Sequence, residues 1–431
     1  MRRTAVIAIG ALVLGGGVAW GAARHLGAEL TPRPLSAAVP GIPATEQRER
    51  EIALFEERVR TDPYSPEDRG WLASLLLLRG RAVGNDGDVH RAETLARESL
   101  ELRAAHNASA ALTLSASLLE QHRFAEALEV AERLVAQEPE NVGYRAHLAE
   151  VQVEIGDYRG AAATFGSLQS ARGNMGVAAR LARWAEIEGR TTDARNLLYA
   201  ARDQASRHYR LSADQVAWFH LRLGDHEMQN GRLKEAAASF RDGLAARPDD
   251  HRVMFALARL HAARGEWKET LRWAMQGEER LDLVTMALIG DAHAALGDRA
   301  EAERWYARLE ADAAENPEPF NRQLYTFRLN QGRHVAETLA TLQEEIRTRK
   351  DVLGYDLLAW ALHASGRHAE AREAMQQALR MGTRDATFFY HAGMIERALG
   401  NHAAARAHLE EALKVNPYFP QAAEARAALR G

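Results

Sequence analysis

Along most of the chain one pattern of small, polar and apolar positions recurs. A turn residue is followed by a polar or charged one, one further residue, and a helix with alanine near its start. It reads GDVHRA from Gly87, HRFAEA from His122, GDYRGA from Gly156, GRTTDA from Gly189 and GRLKEA from Gly231. It continues as GEWKET from Gly265, GDRAEA from Gly297, GRHVAE from Gly332, GRHAEA from Gly366 and GNHAAA from Gly400. The successive spacings are 35, 34, 33, 42, 34, 32, 35, 34 and 34 residues, a beat that marks a repeat architecture.

Each period predicts helix, tight turn, helix. Glycine supplies the left-handed residue that ends the first helix. Ala127, Ala161, Ala236, Ala302, Ala371 and Ala405 let the second helix lie close against the first. Pro139, Pro248 and Pro417 cannot continue a helix and set the boundary between units. One such pair cannot bury its apolar face alone, so stacked neighbours must share a core. The expected fold is therefore all-α, a solenoid of about ten helix pairs over residues 67–419.

Two intervals break the rhythm. The 42-residue spacing predicts a lengthened helix after Asp193 and a longer loop, with Ser212 and Gln215 as a capping box. In the first unit, GRAVGNDGD predicts a stretched turn. Residues 46–66 read as an N-terminal capping helix and 420–431 as its C-terminal counterpart, covering faces that an end repeat would otherwise expose.

The first residues differ in kind. Arg2 and Arg3 precede an uncharged stretch from Ala5 to Ala23, interrupted by Gly15, Gly16 and Gly17 and ended by Arg24. Basic head, apolar body and small-residue tail over 1–27 describe a signal peptide or an uncleaved signal anchor, and both stay open. Residues 28–45 are a proline-rich linker. Everything beyond the segment is expected outside the cytoplasm, periplasmic, either soluble after cleavage or held at the inner membrane through the N-terminal segment.

Composition narrows the chemistry. Hydrophobic residues make up 46% and charged residues 26%, a globular profile, and the net charge of -4 offers no basic face for nucleic acid. With no cysteine, disulfides, thiolate metal sites and cysteine nucleophiles are excluded. Arginine in place of lysine, with abundant alanine, fits a GC-rich bacterial source. No HExxH, phosphate-binding glycine loop or G-x-S-x-G elbow occurs, so no catalytic residue, metal site or cofactor is expected and the chain reads as a non-enzyme. His334, His368 and His402 share one repeat position, where a ring is expected to pack on the helix pair, and His363 and His368 straddle a turn.

The unit from Ala217 to Asp250 carries Leu223-Gly224, Gly231, Ala236, Phe240 and Pro248, and that from Ala386 to Phe419 carries Gly393, Gly400, Ala405, Ala412-Leu413 and Pro417. In these residues the sequence resembles the tetratricopeptide repeat family over about 65–419. The resemblance implies a right-handed superhelix whose first helices line a concave groove that binds proteins or peptides. It places Glu150, Glu154, Arg183, Trp218, Asp225, Phe255 and Arg259 in that groove, followed by Asp291, Arg322, Asp356, Trp360, Tyr390 and Arg397. The expected function is an extracytoplasmic scaffold or adaptor that supports a bacterial envelope or membrane-side complex. The alternative is an accessory subunit of an enzyme, or a metal or small-molecule carrier built on the repeats. Self-association through the solenoid ends is a further expectation.

Overall fold

The computed structural model describes residues 44–430 apart from 84, 209, 210 and 319. The expected export segment and nearly all of the linker lie outside the described residues. Among the described residues there are 22 α-helices, two single-turn 3-10 segments and no strand. None of these helices is long and apolar enough to cross a membrane.

The chain divides into two compact units, one taking residues up to Leu181 with Ala200–Val216, the other Ala182–Tyr199 with Ala217–Gly431. In the first, α1 (Ala44–Thr61) packs on α2 (Pro66–Val83). There follow α3 (Asp86–Leu102), α4 (Ala108–Glu120), α5 (Phe124–Gln137), α6 (Val142–Ile155) and α7 (Tyr158–Gly166). Three helices have residues in both units: α8 (Met175–Ile187), α9 (Thr191–Ser206) and α10 (Ala213–Gln229). The second unit continues with α11 (Leu233–Ala246), α12 (His251–Ala263), α13 (Trp267–Gln276), α14 (Leu283–Ala295) and α15 (Arg299–Glu315). It closes with α16 (Arg322–Asn330), α17 (Val335–Glu345), α18 (Val352–Ala364), α19 (His368–Leu379), α20 (Ala386–Ala398), α21 (His402–Val415) and α22 (Ala422–Arg430).

Nine of the ten turns seen in the sequence fall between an even-numbered helix and the odd-numbered one after it, and α2 with α3 makes the tenth pair, so α2–α21 form ten helix-turn-helix pairs. Eight turns place glycine in the left-handed region, from Gly332 at φ 63° to Gly297 at φ 91°. At the second turn His122 takes that conformation instead, at φ 56°. The first turn departs from expectation. It is short rather than stretched: α2 runs to Val83, Asn85 opens α3, and Gly87 lies inside that helix. Arg79 anchors the junction, donating to both oxygens of the buried Asp88 at 2.7 Å. In the long interval α9 runs to Ser206, and the Ser212 N–H donates to Gln215 at 3.0 Å, one arm of the expected capping box.

Most first helices start on an acidic or amide cap. Asn141, Asp250, Asp282, Asn321, Asp351 and Asp385 each accept backbone N–H bonds from the first turn of α6, α12, α14, α16, α18 and α20. Such a cap contributes about 1 kcal/mol. Within a pair the helices meet through small residues. Ala127, Ala161, Ala236 and Ala371 have no exposed surface. Gly224 lies under the Phe240 ring, Gly290 under Tyr306 and Gly393 under Leu409, at distances that leave no room for a Cβ. Second helices then pack on the next first helix, α3 on α4 and α5 on α6 in the first unit, and α11 on α12, α13 on α14, α17 on α18 and α19 on α20 in the second, which extends the core from pair to pair.

Candidate functional site

Successive first helices also touch one another directly: α2 with α4 in the first unit, and α12 with α14, α14 with α16, α16 with α18 and α18 with α20 in the second. Second helices pack chiefly on first helices. The first helices therefore line the inner side of each curve, and that row is the candidate site.

Its polar side chains are bonded to one another across repeats. In the first unit, Arg81 of α2 donates to Glu120 of α4 at 2.9 Å, and Ser115 Oγ of α4 lies 2.7 Å from His147 Nε2 of α6. Arg180 of α8 donates to Glu150 of α6 at 2.9 Å, with both side chains 5% exposed. In the second unit, Glu186 of α8 pairs with Arg222 of α10 and lies 2.7 Å from His226 Nδ1. Arg259 of α12 donates to Asp225 of α10 at 2.9 Å. Asp291 accepts from Tyr306 Oη at 2.6 Å and from Gln331 at 3.1 Å. Arg322 donates to the α18 cap Asp351 at 2.5 Å, and Trp360 Nε1 to Asn330 at 3.3 Å. Asp356 of α18 lies 2.9 Å from His391 Nδ1 of α20, and Arg397 donates to the Ala428 carbonyl at 3.3 Å.

This ladder changes what the expected groove residues do. Trp218, Phe255 and Tyr390, expected as aromatic anchors, are at most 5% exposed and belong to the core. Phe255 fills space left by Gly277, whose Cβ would stand 2.5 Å from the ring. Trp218 meets Phe219 edge-on, and Tyr390 lies against Phe419. Glu150, Glu154 and Asp356 are buried as well, so they offer no face to a partner. Arg183, Asp225, Arg259, Asp291, Arg322 and Trp360 remain half-buried and Arg397 exposed. Those seven are the expected residues still within reach of a ligand.

Burial and pairing set the charges. Burial raises the Glu120 carboxyl, and the positive charge of Arg81 only partly opposes it. Burial, with Arg180 and Arg81 nearby, pushes the His147 imidazole down to about 3. At Glu186 burial acts upward, but Arg222 and His226 outweigh it and hold the carboxyl below the ordinary range. Asp291 is raised by burial despite its two donors.

One aromatic cluster stands out in the second unit. The Trp360 ring stacks with His363, 5.0 Å away and 13° from parallel, and with His391, 4.2 Å away and 14° from parallel. His368 approaches His363 at 4.9 Å, so the two histidines that straddle this turn do meet. Burial, reinforced by the neighbouring His368 and His391, pushes His363 down to about 4. Among the described residues no three His, Asp or Glu side chains converge as a metal-ligand set. Contrary to expectation, His334 and His402 do not pack on their pairs. They stand exposed at the start of α17 and α21, where the buried face of the second helix begins later, at Thr338 and Ala405.

Sequence reading missed Arg180, Arg222, His226 and His391. A signal for them exists in the repeat length: Arg222 follows Glu186 by 36 residues, Arg259 follows Asp225 by 34, and His391 follows Asp356 by 35. Opposite partners one period apart on first helices are cross-repeat pairs.

Tetratricopeptide-repeat family models match residues 118–182 and, separately, residues 221–273 and 357–418. No curated protein sequence matches the chain. Among solved structures, a chain of the "Crystal structure of APC/C hetero-tetramer Cut9-Hcn1" aligns over 89% of this chain and 94% of its own, at 14% identity and a TM-score of 0.34. The family matches fall on helix pairs already described, and residues 118–182, 221–273 and 357–418 thus carry tetratricopeptide repeats.

Proposed function

We propose that the chain is an extracytoplasmic scaffold that holds a protein or peptide partner along its row of first helices, in support of a bacterial envelope or membrane-side complex. Tetratricopeptide repeats imply a protein–protein interaction scaffold. The observation that carries the reading is the row itself: first helices tied side by side by Glu150–Arg180, Glu186–Arg222, Asp225–Arg259 and Asp356–His391. Glu150–Arg180 and Asp356–His391 are buried and fix the helices, whereas Glu186–Arg222 and Asp225–Arg259 are half-buried, and side chains locked there before binding lose little entropy when a partner arrives. Trp360 and Arg259, both half-buried, are of the residue types that dominate binding energy at interfaces. The export part of the reading rests on the basic, apolar and small-residue order of residues 1–27.

Two experiments test it. The tagged full-length chain, expressed in its own host, is cross-linked and captured beside Arg259→Glu and Trp360→Ala variants of unchanged helicity. Partners retained by the parent and lost from both variants support the reading; retention by all three moves binding off the first helices. Cell fractionation with N-terminal sequencing of the mature chain tests export. Recovery in the cytosol with Met1 or Arg2 at the N-terminus removes the extracytoplasmic half of the proposal.

A further inference from the structure

The turn glycines of the second unit occupy one repeat position but not one environment. A Cβ added at Gly265, Gly297, Gly332, Gly366 or Gly400 would meet nothing within 4 Å. At Gly189 it would stand 2.1 Å from the Gly382 carbonyl oxygen, and at Gly231 2.9 Å from Pro417 Cδ. Two turns in succession therefore touch loops that lie almost two hundred residues further on, within the same compact unit.

Hydrogen bonds run through both contacts. Thr383 Oγ1 donates to the Ile187 carbonyl at 2.6 Å, and Asn416 Nδ2 donates to the Met228 carbonyl at 3.2 Å. Ile187 and Met228 lie in the last turns of α8 and α10, where carbonyls run out of intrahelical donors, and the Met228 carbonyl also accepts the Gly231 N–H at 3.0 Å. Asn416 is 7% exposed, and its Oδ1 accepts the Tyr418 N–H at 2.9 Å, so both ends of the amide are used. Thr383 lies between α19 and α20 and Asn416 directly after α21, so the ends of two consecutive first helices are capped, in the same order, by two consecutive inter-repeat loops.

We infer that these two contacts form a latch that returns the second unit onto itself and holds its row of first helices in a closed turn. The latch is polar and small. It consists of two side-chain hydrogen bonds and two close glycine approaches, one to the Gly382 carbonyl and one to the Pro417 ring, unlike the apolar core that joins neighbouring pairs. Opening it leaves every helix pair intact and widens the row. Its role as a gate for a partner rests on the scaffold reading above; the latch itself does not.

The absence of cysteine allows site-specific labelling at Arg190→Cys and Arg384→Cys, which flank the first contact. Spin-label distances on the full-length chain are measured in that background, in Gly189→Ala and in Gly265→Ala. Gly189 and Gly265 have nearly the same φ, 71° and 73°, so alanine strains both turns alike and only Gly189→Ala collides with the facing loop. The latch predicts one short distance in the parent and in Gly265→Ala, and a longer, broader distribution in Gly189→Ala. Thr383→Val, which keeps size and removes the donor, should broaden the distance in the same direction without strain at any turn. A short distance retained in both Gly189→Ala and Thr383→Val, or a long one in the parent, overturns the latch. Bridging the two cysteines with a short bis-maleimide then addresses the gate: partner capture should fall when the pair is locked, and equal capture overturns gating. If neither form captures a partner the scaffold reading fails, while the distances still decide the latch.

Discussion

Gly224→Ala exchanges a poor helix former for the best one, in the middle of α10, and should nevertheless destabilise the protein. On propensity alone the change is worth about 0.8–1.0 kcal/mol in favour of the variant. Geometry opposes it. The new Cβ would stand 2.3 Å from Phe240 Cε1 and 2.5 Å from Cδ1, against ordinary carbon contacts of about 3.5–4.0 Å. The ring must therefore move by about 1 Å. It has nowhere to go, because Phe240 is fully buried among Leu221, Ala236, Val253, Ala256, Leu257 and Leu260. Overpacking of this kind costs about 1–3 kcal/mol, so the net effect should be a loss of roughly 1 kcal/mol. Gly166→Ala is the matched control, since Gly166 ends α7 with nothing within 4 Å of the added carbon. Urea denaturation followed by both far-ultraviolet circular dichroism and tryptophan fluorescence is the assay, because stacked repeats need not unfold in one step. The Gly224→Ala midpoint should fall and the Gly166→Ala midpoint stay or rise. Adding Phe240→Leu should recover part of the loss, a coupling of about 1 kcal/mol. A Gly224→Ala midpoint that rises like the control would refute the claim that glycine is there for helix approach.

Glu227 has no exposed side-chain surface and is held by Arg195 and Arg232, so Glu227→Gln should cost roughly 2–4 kcal/mol, below the full buried-pair value because both guanidinium groups reach solvent. Burial acts upward on this carboxyl, but the two arginines win and hold it below the ordinary range. Its contribution is thus complete above the unfolded value of about 4.3 and is lost as pH falls through the lower folded value. Parent and Glu227→Gln stabilities should converge in acid, and a constant gap would contradict the assignment. His147 works in the opposite sense: its imidazole is held down to about 3, so below about pH 6.5 the unfolded chain takes up a proton that the folded chain refuses. Stability should fall with acidification by up to about 1.4 kcal/mol per pH unit from this group. His147→Gln should flatten that window; an unchanged slope would mean that the buried site accepts the charge.

The fold was legible wherever one residue type forces one backbone state. Glycine at the turns, alanine at the helix contacts and proline after Gln137, Ala246 and Val415 each have a local physical reason, so their spacing carries the repeat. Gly87 misled because GNDGD offers several turn formers in a row, and the Arg79–Asp88 pair, which holds the junction tight, lies outside the local pattern. Groove positions were legible as register but not as exposure. Whether Phe255 faces solvent or fills the gap at Gly277 depends on the end of the next helix. Charge partners such as Glu186 and Arg222 were visible only as a one-period spacing. The contacts of Gly189 and Gly231 with Gly382 and Pro417 had no sequence signal, because they arise from curvature accumulated over several repeats.

The most direct test of the central claim is hydrogen–deuterium exchange on the full-length chain with and without the partner recovered by capture. The account predicts new protection on first helices, with α12 and α18 foremost because they carry Arg259 and Trp360. Protection confined to second helices such as α13 and α19, with the first helices unchanged, would contradict it.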